Sequence, residues 1–130
     1  MKYLIGVDIG TSGTKTVLFD TAGVPVRAKT LEYPMYQPQN GWAEQDPADW
    51  WHAVAGGLRY VLDGIDARDV ISVGLSGQMH GLVMLDKEGS VLRPSIIWCD
   101  QRTGRECDQM NELIGDRRVI EITANPPMTG

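Results

Sequence analysis

The chain has 130 residues, 42% apolar and 22% charged, a balance that fits one small globular domain and neither a disordered segment nor a membrane-embedded one. Its 17 acids against 12 Lys and Arg leave a net charge of -5 with the basic residues scattered, so no stripe exists to follow a nucleic-acid backbone and no such partner is expected.

The opening apolar run meets Asp8 before it could serve as a signal-peptide core, so a cytoplasmic protein without a membrane partner is expected. Tyr3 to Asp8 and Lys15 to Phe19 read as two strands joined by the turn residues Gly10 to Gly13. Asp20-Thr21-Ala22-Gly23 supplies a second turn before Val24 to Leu31, which predicts a three-stranded antiparallel meander. Tyr33 to Gly41, rich in Pro, Gln and Asn, reads as an irregular connection.

A helix start follows. Asp46 can accept from an orphan backbone N–H, Pro47 suits the first helical position, and Asp49 favours the positive end of the helix dipole. Trp50, Val54, Leu58 and Val61 then line one face, while Gly56 and Gly57 predict a close approach to the sheet. Val70 to Leu75 reads as a buried strand reached by a crossover. Leu82 to Leu85 and Val91 to Leu92, about the turn Asp86 to Gly89, read as a smaller hairpin, with Ser95 to Trp98 after it. A final helix is predicted from near Arg102, and a loop from Asn125 to Gly130. Cys99 and Cys107 have neither CxxC spacing nor a nearby His and read as free thiols.

Three clusters carry candidate chemistry. In Asp8-Ile9-Gly10-Thr11-Ser12-Gly13-Thr14-Lys15, glycines let backbone N–H groups approach phosphate oxygens, hydroxyls add donors, and the carboxylate can hold a hydrated Mg²⁺. Lys15 either adds charge or faces solvent. Neither GxxxxGK[ST] nor GxGxxG is present, and the turn leads into a strand rather than a helix, which excludes P-loop and Rossmann architectures. The alternative is a hairpin turn whose glycines supply positive φ, with Asp8 capping it, and local signals leave both open. The second cluster, Ser76-Gly77-Gln78-Met79-His80-Gly81, follows a strand. There Gln78 and His80 can hydrogen-bond sugar hydroxyls while Met79 forms an apolar wall. In the third, Trp98-Cys99-Asp100-Gln101-Arg102, an aromatic face can stack on a sugar and Asp100 can accept hydroxyl protons. A buried Trp beside an Asp–Arg pair capping the next helix is the alternative the residues alone favour.

Taken together, DIGTSGTK, WAEQDPADWW, SGQMHG, IIWCDQRT and TANPPMTG, in this order and spacing, resemble the FGGY family of carbohydrate kinases, and within it the branch acting on ketopentoses. The resemblance covers essentially the whole chain. It implies an α/β fold of the ribonuclease-H-like, actin-like ATPase type: a mixed sheet opening with the meander and carrying helices. The implied activity is ATP-dependent phosphorylation of a ketopentose, D-xylulose to xylulose 5-phosphate, with other sugar or polyol kinases (glycerol, gluconate) or a non-catalytic actin-like nucleotide-binding module as alternatives.

Carried over by motif, Asp8 organises Mg²⁺ and phosphates; Gly10, Thr11, Ser12 and Gly13, with Lys15, form the ATP-side loop; and Gln78, Met79, His80, Trp98 and Asp100 lie on the sugar side. The resemblance also implies that residues 1–130 are the amino-terminal part of a first kinase domain. The catalytic base, the second phosphate motif and the adenosine pocket would then lie beyond Gly130, leaving this stretch alone inactive. Open sheet edges in such a piece leave a homodimer available to it.

Overall fold

A computed structural model describes residues 1–130. The strands are β1 (Tyr3–Ile9), β2 (Gly13–Asp20), β3 (Pro25–Glu32), β4 (Glu44–Gln45), β5 (Val70–Gly77) and β6 (Ser95–Ile96), and the helices α1 (Pro47–Val61), α2 (Gly104–Ile114) and α3 (Asp116–Thr123). Length favours one domain, whereas the chain gathers into two compact units. Met1–Met35 with Asp46–Met79 form the first, and Tyr36–Gln45 with His80–Gly130 form the second.

In the first unit the strand order is β3-β2-β1-β5, with β1 antiparallel to β2, β2 antiparallel to β3, and β5 parallel to β1. The predicted meander and crossover are therefore present. Alternation along the strands decides the two faces. Ile5 pairs with Leu18 and Val7 with Thr16 on the face that α1 covers, where Ile5, Val7, Leu18 and Val61 form the buried centre of the core. Each such aliphatic side chain stabilises the fold by about 1.5–3 kcal/mol on burial. Asp8 and its register partner Lys15 belong to the opposite face.

The predicted cap of α1 is also observed: the Asp46 carboxylate accepts from the Ala48 N–H at 2.9 Å, with Pro47 at the first helical position. A Cβ on Gly57 would overlap the buried Thr16 side chain, and one on Gly56 would come within 2.7 Å of the Leu31 Cδ1 methyl. The two glycines thus set how closely α1 approaches the sheet.

Because α1 packs mainly on β2 and β3, β5 is not the buried strand its sequence predicts. It is a sheet edge paired only with β1, and Ile71, Val73 and Leu75 remain 60%, 50% and 73% exposed.

The second unit is built on short pieces. β4 pairs antiparallel with β6, Tyr36 bridges to Glu44, and Leu82 bridges to Ile96. The predicted smaller hairpin reduces to one bridge, Leu85 to Val91, closed by a turn in which the Asp86 carboxylate accepts from the Glu88 and Ser90 N–H groups. The single predicted final helix is two, broken at Gly115, whose φ of 89° is one that side chains rarely adopt. Both cysteines are free thiols. No helix is long and apolar enough to cross a membrane.

The helix–sheet contact gives a paired test. Gly57→Leu is expected to destabilise by about 1–3 kcal/mol, because buried Thr16 has no room to yield. Gly56→Ala should stay within about 1 kcal/mol of the parent, since gained helix propensity offsets the shift of one flexible methyl. Urea unfolding followed by circular dichroism distinguishes them; equal losses in both variants would refute this account of the contact.

Candidate functional site

In the first unit, Asp8 is exposed near the end of β1, and the turn Gly10-Thr11-Ser12 links it to β2. Neither Gly10 nor Gly13 has a positive φ, so the turn does not use them in the way a simple hairpin would. Close backbone approach favours glycine instead, strictly at Gly13 and more mildly at Gly10. A Cβ on Gly13 would come within 2.7 Å of the Leu31 carbonyl oxygen on β3, and one on Gly10 within 3.2 Å of the Gly13 carbonyl oxygen. The Gly10 N–H donates to that same carbonyl at 3.0 Å and closes the turn.

Two residues outside the turn hold its shape. Tyr33, just past β3, donates its N–H to the Ser12 carbonyl at 3.3 Å and its hydroxyl to the Gly10 carbonyl at 2.5 Å, with the Thr14 hydroxyl 3.3 Å away. Gln78, just past β5, donates its N–H to the Ile9 carbonyl at 2.9 Å, and its side-chain oxygen accepts from the Thr11 hydroxyl at 3.4 Å. The carbonyl side of the Gln78 amide is thus used on the turn. Burial raises the Tyr33 phenol above its ordinary pKa; the Thr14 hydrogen bond opposes that rise and the Asp8 charge adds to it.

A hollow of about 380 Å³ opens on the face away from α1, with Gly6, Asp8, Lys15, Val17, Gly74 and Ser76 among its lining. An exposed carboxylate, a cation on the neighbouring strand and a tight glycine turn are the parts that bind phosphates with a metal. No three His, Cys, Asp or Glu side chains gather into a metal cage. A lone carboxylate of this kind suits Mg²⁺, which keeps several waters and takes further oxygens from phosphates.

Met79 closes the first unit in sequence and His80 opens the second; both are exposed. His80 has a φ of 65°, uncommon for any residue but glycine. Trp98, past β6, is half exposed rather than buried. The structure departs from expectation at Asp100. Its side chain is fully buried and accepts from the Ala43 N–H at 2.7 Å, the Arg102 N–H at 2.8 Å and the Arg102 Nη2 at 2.7 Å. Rather than offering a carboxylate to solvent, Asp100 fastens the chain around Trp98.

Arg102 also donates through Nη1 to Glu44 at 2.8 Å and lies over the Trp42 ring, 3.6 Å from its centroid, while Arg93 reaches the same Glu44 oxygen at 2.9 Å. Burial pushes the Asp100 carboxyl upward, but hydrogen bonds from Arg102 and from the Ala43 and Arg102 N–H groups outweigh this and hold it below the usual range. The Asp–Arg pair does not cap the next helix, because Thr103 precedes α2 and makes no side-chain cap. The tail returns here, with the Gly130 N–H donating to the Thr103 hydroxyl at 3.3 Å.

Residues 3–130 match the N-terminal domain of the FGGY family of carbohydrate kinases. The chain belongs to that family. This FGGY chain is 39% identical to the xylulose kinase of Bacillus subtilis over 132 residues, 100% of this chain and 26% of that protein. Its fold superposes on the xyloylose kinase from Brucella ovis with a TM-score of 0.85 at 40% identity, covering 97% of this chain and 26% of that one. The gluconate kinase from Lactobacillus acidophilus superposes with a TM-score of 0.84 at 31% identity, covering 92% and 24%. The chain therefore spans about a quarter of the length of the relatives it matches. The ribonuclease-H-like, actin-like architecture expected of the family holds.

Sequence reasoning passed over Tyr33 and Glu44. The three-strand register was a usable signal for the first, since Gly13 opposes Glu32 and the next residue must lie beside the turn. Glu44 meets its partners only through the pairing of β4 with β6, which no local pattern announces.

Arg102→Met would leave Asp100 and Glu44 buried without their shared cation, and a loss of about 3–5 kcal/mol is expected in urea unfolding. Asp100→Asn should show a definite pH dependence. With the folded pKa depressed, ionised Asp100 stabilises the fold above its unfolded value of about 3.9, and that contribution is lost as pH falls through the folded pKa. The variant is expected to be less stable than the parent at neutral pH, with the gap closing below about pH 4. A gap that widens in acid would contradict the assignment.

Proposed function

We propose that the full-length protein transfers the γ-phosphoryl group of ATP to a ketopentose hydroxyl, D-xylulose giving xylulose 5-phosphate, and that it does so in the cytoplasm. Residues 1–130 are the amino-terminal part of its first kinase domain. The observation that carries this reading is the hydrogen-bonded turn from Asp8 to Gly13, with an exposed carboxylate at its start and Lys15 beside it. The xylulose kinase relative supports the choice of substrate.

Phosphoryl transfer relies on positioning and charge stabilisation more than on covalent help from the protein. In this reading Asp8 holds a hydrated Mg²⁺, which neutralises phosphate charge. The turn from Gly10 to Gly13, closed by the Gly10 N–H on the Gly13 carbonyl, presents the backbone donors of the residues after Gly10 to the transferred group, and Lys15 adds a positive charge. Met79 and His80 contact the sugar, the half-exposed Trp98 offers a stacking surface, Gln78 ties the strand end to the turn, and Asp100 with Arg102 fixes the chain around Trp98. The base that accepts the sugar proton comes from a later part of the protein, so residues 1–130 alone should give no turnover.

The likeness to a gluconate kinase keeps a second sugar acid or polyol reading in view. A coupled assay of ADP release with the full-length protein, run on D-xylulose, gluconate and glycerol, separates them. D-xylulose is expected to lead in kcat/KM by about tenfold or more. Asp8→Ala should lower kcat by at least about 10²-fold. A higher kcat/KM for gluconate or glycerol would overturn the substrate, and an Asp8→Ala enzyme with parental kcat would overturn the site.

A further inference from the structure

We infer that Tyr33 is a positioning residue for the turn, fixing the Gly10 and Ser12 peptide planes and through them the directions of the Thr11 and Gly13 N–H groups. This rests on reading the turn as the phosphate site. Its physical basis is the planarity of the trans peptide. The carbonyl of one residue and the N–H of the next lie in one plane and point opposite ways. The Tyr33 hydroxyl holds the Gly10 carbonyl, so the Thr11 N–H is directed away from the ring; the Tyr33 N–H holds the Ser12 carbonyl and directs the Gly13 N–H likewise.

Three further observations fit such a role. The ring is buried, so the hydroxyl cannot swing into solvent and trade the Gly10 carbonyl for water. Burial and the nearby Asp8 charge both favour the neutral phenol, the form that donates. The other bonds at the turn hold different groups: Gln78 meets the Ile9 carbonyl and the Thr11 hydroxyl, and the Gly10 N–H meets the Gly13 carbonyl, while Gly10 and Gly13 bring no side chains of their own. Two glycines next to a ligand site are a liability unless something outside restrains them.

Tyr33→Phe in the full-length enzyme tests this, since it keeps the ring and the backbone N–H and removes only the donor to Gly10. The expected result is a rise of about five- to tenfold in the KM for ATP, the scale of one lost hydrogen bond. The KM for the sugar should stay within about twofold, and the circular dichroism spectrum unchanged. A ring that only filled space would leave the ATP KM where it was, and that result would overturn the inference. Asp8→Ala, assayed alongside, keeps the two ideas apart. If it is inactive while Tyr33→Phe has the parental ATP KM, the positioning role alone fails; if it is fully active, the phosphate site itself fails. Hydrogen exchange of the unmodified enzyme adds a test independent of the variant's folding. The Tyr33 amide, bonded to the Ser12 carbonyl, should exchange at least about tenfold more slowly than in an unstructured peptide, as local protection requires. Exchange at the free-peptide rate would sink the inference whatever becomes of Tyr33→Phe.

Discussion

The packing of α1 against one face of the meander is the constraint from which the rest follows. Ile5, Val7 and Leu18 must meet Val61, and because strand side chains alternate with a period of two, their burial sends Asp8 and Lys15 to the other face. A slip of one residue in β1 would exchange the sets, exposing the aliphatic chains and driving an ionised carboxylate under the helix. The cost of that exchange is several kcal/mol, enough to fix the register without help from the turn. The position of the proposed phosphate carboxylate is therefore a by-product of core formation, and so is its distance from the turn that follows.

The two units solve the problem of rigidity differently. In the first, precision comes from backbone crowding: Gly13 lies against the Leu31 carbonyl, where any side chain would force the strands apart. In the second, it comes from charge. Glu44 and Asp100 share Arg102, with Arg93 completing the balance and the Trp42 face taking up the guanidinium plane. Buried pairs of this kind rarely add stability over an apolar substitute, since desolvation consumes most of the attraction. Their contribution is directional, because a bidentate guanidinium accepts only a narrow range of carboxylate placements. That specificity bears on Trp98, half exposed two residues before Asp100.

What was legible from the residues depended on how local the determining physics is. The meander, the Asp46 cap and the glycine contact of α1 each rest on patterns within a few residues, and each is present in the structure. The exposure of β5 was not legible, because Val70 to Leu75 reads as buried whichever part of the sheet α1 covers. The helix break at Gly115 had a readable sign, a glycine followed by Asp116 at the next helix start. Asp100 shows the limit most clearly. Its spacing to Arg102 gave a pair, but the inward turn of the carboxylate depends on Ala43 and on an Arg102 also bound to Glu44, both brought near by strand pairing remote in sequence.

His80 shows where folding and function pull apart. Its φ of 65° is a conformation that costs an ordinary residue roughly 1–2 kcal/mol relative to the right-handed helix region, while glycine adopts it freely. Stability alone therefore favours glycine here, and the chain already has one at the next position, Gly81, where a Cβ would lie 3.5 Å from the Ser95 hydroxyl at ordinary contact distance. The residue with room for a side chain is a glycine, and the strained one carries an imidazole. Strain of this kind persists only where its surroundings impose it, and it concentrates where a side chain has to be presented in one direction. On the proposed reading, that direction is toward a polar ligand, and the exposed ring offers its nitrogens to hydrogen bonds from a backbone held at positive φ. The cost falls on the fold and the gain falls on the site.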